Sequence, residues 1–74
     1  MQVRKAINPG AIRLYEPWLV ICCNADGNRI VESHFTESAA DHAAIIGNEH
    51  DRKYGHHNQY VVRHRSDVEI LEEP

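Results

Sequence analysis

Trp18-Leu19-Val20-Ile21-Cys22-Cys23-Asn24-Ala25-Asp26-Gly27-Asn28-Arg29-Ile30-Val31-Glu32-Ser33-His34-Phe35-Thr36 reads as a β-hairpin that runs straight into a helix. The first six residues of this stretch are all apolar. A strand buried on one face alternates apolar and polar residues. This one does not, so both of its faces need cover, and a single helix can cover only one.

The turn allows two registers. A two-residue Asp26-Gly27 loop would put Trp18, Val20 and Cys22 on the face of Val31, Ser33 and Phe35. A three-residue Ala25-Asp26-Gly27 loop, with Gly27 left-handed, would put Leu19, Ile21 and Cys23 there instead. Either way, three residues of the first strand and Ile30 lie on the face away from Val31 and Phe35.

Downstream, Thr36 is a suitable N-cap and Phe35 is placed to staple onto Ala40. Glu37 and Asp41 put negative charge near the helix start, Arg52 and Lys53 put positive charge near its end, and Gly55 suits its termination. Ala40, Ala43, Ala44, Gly47 and Tyr54 share one helical face, whose small residues permit close approach to a sheet. Gln59 to His64 reads as a third strand, and Val68, Ile70 and Leu71 as a short apolar coda at the sheet edge. Upstream, Asn8-Pro9-Gly10 is a turn signal inside an N-terminal arm that is either a loose lead-in or a segment lying on the sheet; the second apolar face is covered by this arm through Val3, Ile7 and Ile12, by the C-terminal coda, or by a partner.

The expected fold is therefore α+β: an antiparallel sheet of about three strands in the order β-β-α-β, with one helix on one face. The chain is a single domain of 74 residues, divided into an arm (1–12), a ββαβ core (18–64) and a C-terminal extension (65–74). A domain this small buries only roughly 60% of its unfolded surface, so its stability is modest.

At 42% hydrophobic and 26% charged, with a net charge of −3, the composition excludes wholesale disorder and gives no strong push toward DNA, although a net acidic domain can still present a basic patch. No apolar run approaches the ~20 residues of a membrane helix, and no apolar segment follows Arg4-Lys5 to make a secretory leader. Cys22 and Cys23 are strand neighbours that point to opposite faces and suit a reducing, cytoplasmic compartment.

Chemistry-bearing patterns are sparse. The six histidines match no zinc spacing. Of these, His50, His56 and His57 are the candidates for a small metal site. No nucleophile has an evident base, and Gly10, Gly27, Gly47 and Gly55 are too scattered for a phosphate loop. No cofactor, metal or catalytic set is therefore expected.

The order strand, strand, helix, strand between Trp18 and His64 resembles small proteins encoded by phages and mobile elements, some anti-CRISPR proteins among them. The resemblance implies a small acidic inhibitor without catalysis that blocks a larger host protein or nucleoprotein complex. The leading expectation is a non-enzymatic protein–protein interaction module, a phage-type inhibitor or adaptor, that binds a partner or a second copy of itself as a homodimer. Its contact residues would be Tyr15, Trp18, Val20, Cys22, Ile30 and Glu32, on the hairpin face left uncovered by the helix. The alternative is a small nucleic-acid-binding domain using Arg52, Lys53, Tyr60, Arg63 and Arg65.

Overall fold

The computed structural model describes residues 1–5 and 15–71. Its elements are β1 (Gln2–Arg4), β2 (Trp18–Asn24), β3 (Gly27–His34), α1 (Glu37–Tyr54), β4 (Gln59–His64), a 3-10 turn (Arg65–Asp67) and β5 (Glu69–Leu71). The α+β class is as expected, but the sheet is larger and mixed. Among the described residues it has five strands in the order β4-β2-β3-β1-β5. Both additional strands come from the chain's ends. β1 runs parallel to β3 on one side and to β5 on the other, with Val3 opposite Ile70. The Glu69 N–H donates to the Met1 carbonyl at 2.8 Å. Gln2-Val3-Arg4 is thus a strand inside the sheet and not part of a loose arm. Residues 6–12 of the expected arm lie outside the described residues.

β2 pairs antiparallel with both β3 and β4. It carries a core on each face, which explains its unbroken apolar run. On the helix side, Val20, Ala40 and Ala44 are buried, with Trp18, Val31, Ala43, Tyr60 and Val62 packed around them. On the other side, Val3, Leu19, Ile21 and Ile30 form a second core with Cys23, Val61 and Val68. Val3, Leu19 and Ile21 are at 0% exposure and Ile30 at 2%, so the chain itself closes the second face.

The hairpin keeps one expected register at its far end only; at the turn Asn24 pairs with Gly27, so the loop is Ala25-Asp26 and neither expected loop forms. Trp18, Leu19 and Val20 pair with His34, Ser33 and Glu32, as in the three-residue-loop reading. The register then shifts at a bulge, and Ile21 pairs with Ile30. The extra residue, Val31, is delivered to the helix side, where it joins Val20. The turn is tightened by the Asp26 N–H donating to Asn24 Oδ1 at 2.8 Å, with Gly27 at φ 118°.

α1 starts as expected: the Ala39 N–H donates to Thr36 Oγ1 at 3.1 Å. It ends at Gly55 with φ 74°, where the His56 N–H donates to the Asp51 carbonyl at 2.9 Å. Two expectations fail. Phe35 is exposed and stacks on Tyr15 at 5.4 Å, away from the fully buried Ala40. Tyr54 is exposed against His50, and Asp51 takes the buried place in the last turn.

Gly47 is the seat of Tyr60: a Cβ there would come within 2.9 Å of the Tyr60 ring. That contact explains a mid-helix residue that costs about 1 kcal/mol relative to alanine. Next to it, Asn48 clamps the same residue through its backbone. The Tyr60 N–H donates to Asn48 Oδ1 at 2.8 Å, and Asn48 Nδ2 donates to the Tyr60 carbonyl at 3.1 Å. β4 is an edge strand, and this side chain takes the place of the missing neighbour strand.

Candidate functional site

Residues paired in register share a sheet face. The pairings place Tyr60, Cys22, Arg29, Arg4 and Leu71 in a single row across β4, β2, β3, β1 and β5. Tyr60 and Cys22 are on the helix side, so the whole row is. α1 lies mainly over β4 and β2 and touches β3 lightly. It covers the Tyr60 end of the row, and among the described residues the rest is open. The open part is a groove of about 270 Å³ lined by Arg4, Cys22, Asn24, Asp26, Arg29 and Val31. Its shape is held by bonds between strands. Arg29 Nη1 donates to the Lys5 carbonyl at 2.7 Å, and Asn28 Nδ2 donates to the Gln2 carbonyl at 3.1 Å.

At the covered end lies a polar cluster centred on Asp51, which is only 5% exposed. Asn24 Nδ2 donates to Asn58 Oδ1 at 3.1 Å, which leaves the Asn58 amide nitrogen to donate towards Asp51. His50 Nδ1 lies 3.4 Å from Asp51 Oδ1, while Oδ2 has no hydrogen-bond partner among the described residues. Burial pushes the Asp51 carboxyl up. Hydrogen bonding from Asn58 and His50 and the charges of His56 and His50 outweigh it, so the group sits below the ordinary carboxylate range.

The same cluster governs the thiol in the groove. Burial raises Cys22 above an ordinary cysteine; a hydrogen bond with Tyr60 pulls the other way, and the charges of Asp51 and Cys23 add to the rise. Burial raises Tyr60 as well, helped by Cys22 and Asp51. Cys22 is therefore a neutral thiol and its neighbour a neutral phenol. A nucleophilic cysteine needs the opposite environment, one that stabilises thiolate. Cys23 belongs to the second core, where burial raises it too.

Asp51 sets a pH dependence with a definite sign. Its folded pKa is below its unfolded one, so its contribution is complete above the unfolded value and is lost as pH falls through the folded value. Denaturant midpoints of the wild type and Asp51→Asn, measured from neutral pH down through the carboxylate range near about 4, should show a wild-type advantage that vanishes on acidification. A gap that is constant with pH would contradict this role.

The residues expected to form a partner surface are divided. Trp18, Val20, Cys22 and Glu32 are on the helix side. Trp18 is half-buried edge-on to His64 at 4.9 Å, and Val20 is at 1% exposure beneath the helix. Glu32 binds His34 Nε2 at 2.6 Å. Ile30 is sealed in the second core, and Tyr15 is exposed against Phe35. Val20 and Ile30 are thus unavailable as contacts, because Val20 is buried with Ala40 and Ala44 of the helix and Ile30 with Val3, Leu19 and Ile21. Of the six, Cys22 alone lines the groove.

The nucleic-acid set is also divided. Arg63 pairs with Leu19 and so lies on the face away from the helix. Arg52 and Lys53 are exposed at the end of α1. The Tyr60 ring is pressed against Gly47. Arg65 is in the 3-10 turn, its N–H donating to the Pro17 carbonyl at 2.8 Å. The His50 and His56 rings stack at 6.4 Å, but no three His, Cys, Asp or Glu side chains converge on a metal position among the described residues.

The sequence reading did not single out Arg29, Asn48 or Asn58, and it took Asp51 only as one of the acidic groups of a partner surface and Arg4 only as part of a weak basic cluster near the N-terminus. One signal was visible. A carboxylate in the last turn of a helix opposes the helix dipole, so Asp51 needed a tertiary reason to be there. Among the described residues no helix is long and apolar enough to cross a membrane. Comparison with protein-family models, curated proteins and solved structures found no match.

Proposed function

We propose that this chain is a non-enzymatic protein-interaction module whose docking surface is the open part of the helix-side sheet face. The observation that carries the reading is the groove itself: α1 leaves a row of register-paired side chains uncovered over β3 and β1. The neutral state of Cys22 and Tyr60 supports a binding role over a catalytic one. The phage-type inhibitor or adaptor remains the expected biological setting. It rests on chain size and on the order β2, β3, α1, β4. Free thiols at Cys22 and Cys23 suit action in the cytoplasm.

The nucleic-acid reading is disfavoured by the scatter of its arginines over two sheet faces, since a phosphate backbone needs a continuous basic track.

The test is a photo-cross-linking residue at Val31, in the groove, compared with one at Ile45, exposed on the outer helix face, in cells that make the chain naturally. A defined protein adduct that forms from position 31 and not from position 45 is the expected result. An adduct at 31 of twice the chain's mass would identify the partner as a second copy. No protein adduct at 31 would overturn the reading.

A further inference from the structure

α1 rests Ala40, Ala44 and Asp51 on the sheet. Its opposite face carries Ser38, His42, Ile45, Ile46, Glu49 and Lys53, all exposed. Ile45 is 57% exposed and Ile46 53%, and neither belongs to either core. A single apolar residue on a surface is ordinary. Two adjacent isoleucines are not explained by the helix itself, because a β-branched side chain loses freedom there.

The face around them is symmetric. The midpoint of Glu37–Tyr54 falls between Ile45 and Ile46. A two-fold axis through that point, perpendicular to the helix, lays a second α1 antiparallel on the first. It sets Ile45 against Ile46, His42 against Glu49 and Ser38 against Lys53 of the second copy, and every pair occurs twice. The helix ends favour the same orientation. Glu37 and Asp41 make the start acidic, and Arg52 and Lys53 make the end basic. An antiparallel pair joins opposite ends, whereas a parallel pair would join like ends. The two sheets lie on the far sides of the two helices and do not obstruct the contact.

We propose that the outer face of α1 is a self-association surface, through which two copies of the chain form an antiparallel dimer with Ile45 and Ile46 at its centre. This goes beyond the interaction-module reading and stands apart from it, since the groove lies on the sheet and not on this face. The contact is one helix of 18 residues, about 27 Å long, on each side. Such a contact buries less than the ~1,200 Å² of a standard complex, so the dimer is weak, with a Kd of roughly 10 µM to 1 mM.

Sedimentation velocity from about 10 µM to about 1 mM should show the mean mass rising from that of one chain towards that of two. Ile45→Glu combined with Ile46→Glu sets carboxylates at the centre and should hold the mass at one chain throughout. Both sites are exposed, so its circular dichroism should match the wild type. His42→Glu alone opposes two carboxylates and should weaken the dimer by about tenfold. Adding Glu49→His re-forms the pair with its members exchanged and should restore wild-type affinity. That rescue needs position 42 of one copy beside position 49 of the other, which the antiparallel register provides and a parallel one does not. A photo-cross-linking residue at Ile45 should likewise give an adduct of twice the chain's mass.

A mass of one chain at ~1 mM would overturn the proposal. So would self-association that survives Ile45→Glu with Ile46→Glu, or a double exchange that binds no more tightly than His42→Glu alone. None of these results bears on the position-31 adduct, which reports the groove.

Discussion

Val3→Asp is expected to unfold the protein. Val3 is completely buried and belongs to the second core with Leu19, Ile21 and Ile30. A domain of this length has a total stability of roughly 4–11 kcal/mol, taking the usual range per residue. An unpaired carboxylate in an apolar core costs several kcal/mol even after relaxation, and the lost valine burial adds about 1.5 kcal/mol or more. The sum reaches or exceeds the available stability. Val3→Ala deletes two methyl groups and should cost only about 1–3 kcal/mol including the cavity. The exposed neighbour Gln2 should tolerate Gln2→Lys within about 0.5 kcal/mol. Circular dichroism and urea unfolding of the three variants would rank them. A folded Val3→Asp protein with wild-type stability would mean that β1 is not part of the sheet.

The sequence offers Val3 as one possible cover for the second face, in an arm folding over it, but does not make it a strand. Trp18 to Cys23 announces a strand with two apolar faces, and Thr36 and Gly55 mark the helix that covers one of them. These are local signals, carried within a few residues. What covers the other face depends on a tripeptide of polar, apolar, polar character pairing with residues nearly the whole chain away, Val3 with Ile70. Nothing near Gln2-Val3-Arg4 encodes that pairing. The same limit hid the groove. Arg4 and Arg29 look unrelated in the sequence and become neighbours only through β1–β3 register. The bulge after Val20 was hidden for a different reason. Each turn reading keeps one register throughout, whereas the strand changes register partway, so that Ser33 joins Leu19 and Val31 still joins Val20. Asp51 was the legible exception, because its charge is wrong for its end of the helix.

Asn48→Ala should destabilise the protein and make it self-associate. The Asn48 amide satisfies both backbone groups of Tyr60 on the outer edge of β4. Leaving a buried group unpaired costs about 1–3 kcal/mol, but these groups are only partly buried and water can replace some of the loss. Alanine also recovers about 0.5 kcal/mol or slightly more of helix propensity relative to asparagine. The net expectation is a loss of about 1–3 kcal/mol in urea unfolding. The second effect follows from geometry. Once Asn48 is gone, Tyr60 presents an unpaired N–H and C=O on an edge strand, the feature that templates strand addition from another chain. Light scattering should therefore report a mass above that of the wild type, rising with concentration. Asn48→Asp separates the two bonds. It can still accept from the Tyr60 N–H but cannot donate to the carbonyl, and it sets a negative charge beside that oxygen, so it should lose stability while its charge discourages pairing. If Asn48→Ala matches the wild type in both stability and mass, the edge is protected by something other than this side chain. If it loses stability but keeps the wild-type mass, the amide clamps α1 to β4 without guarding the edge.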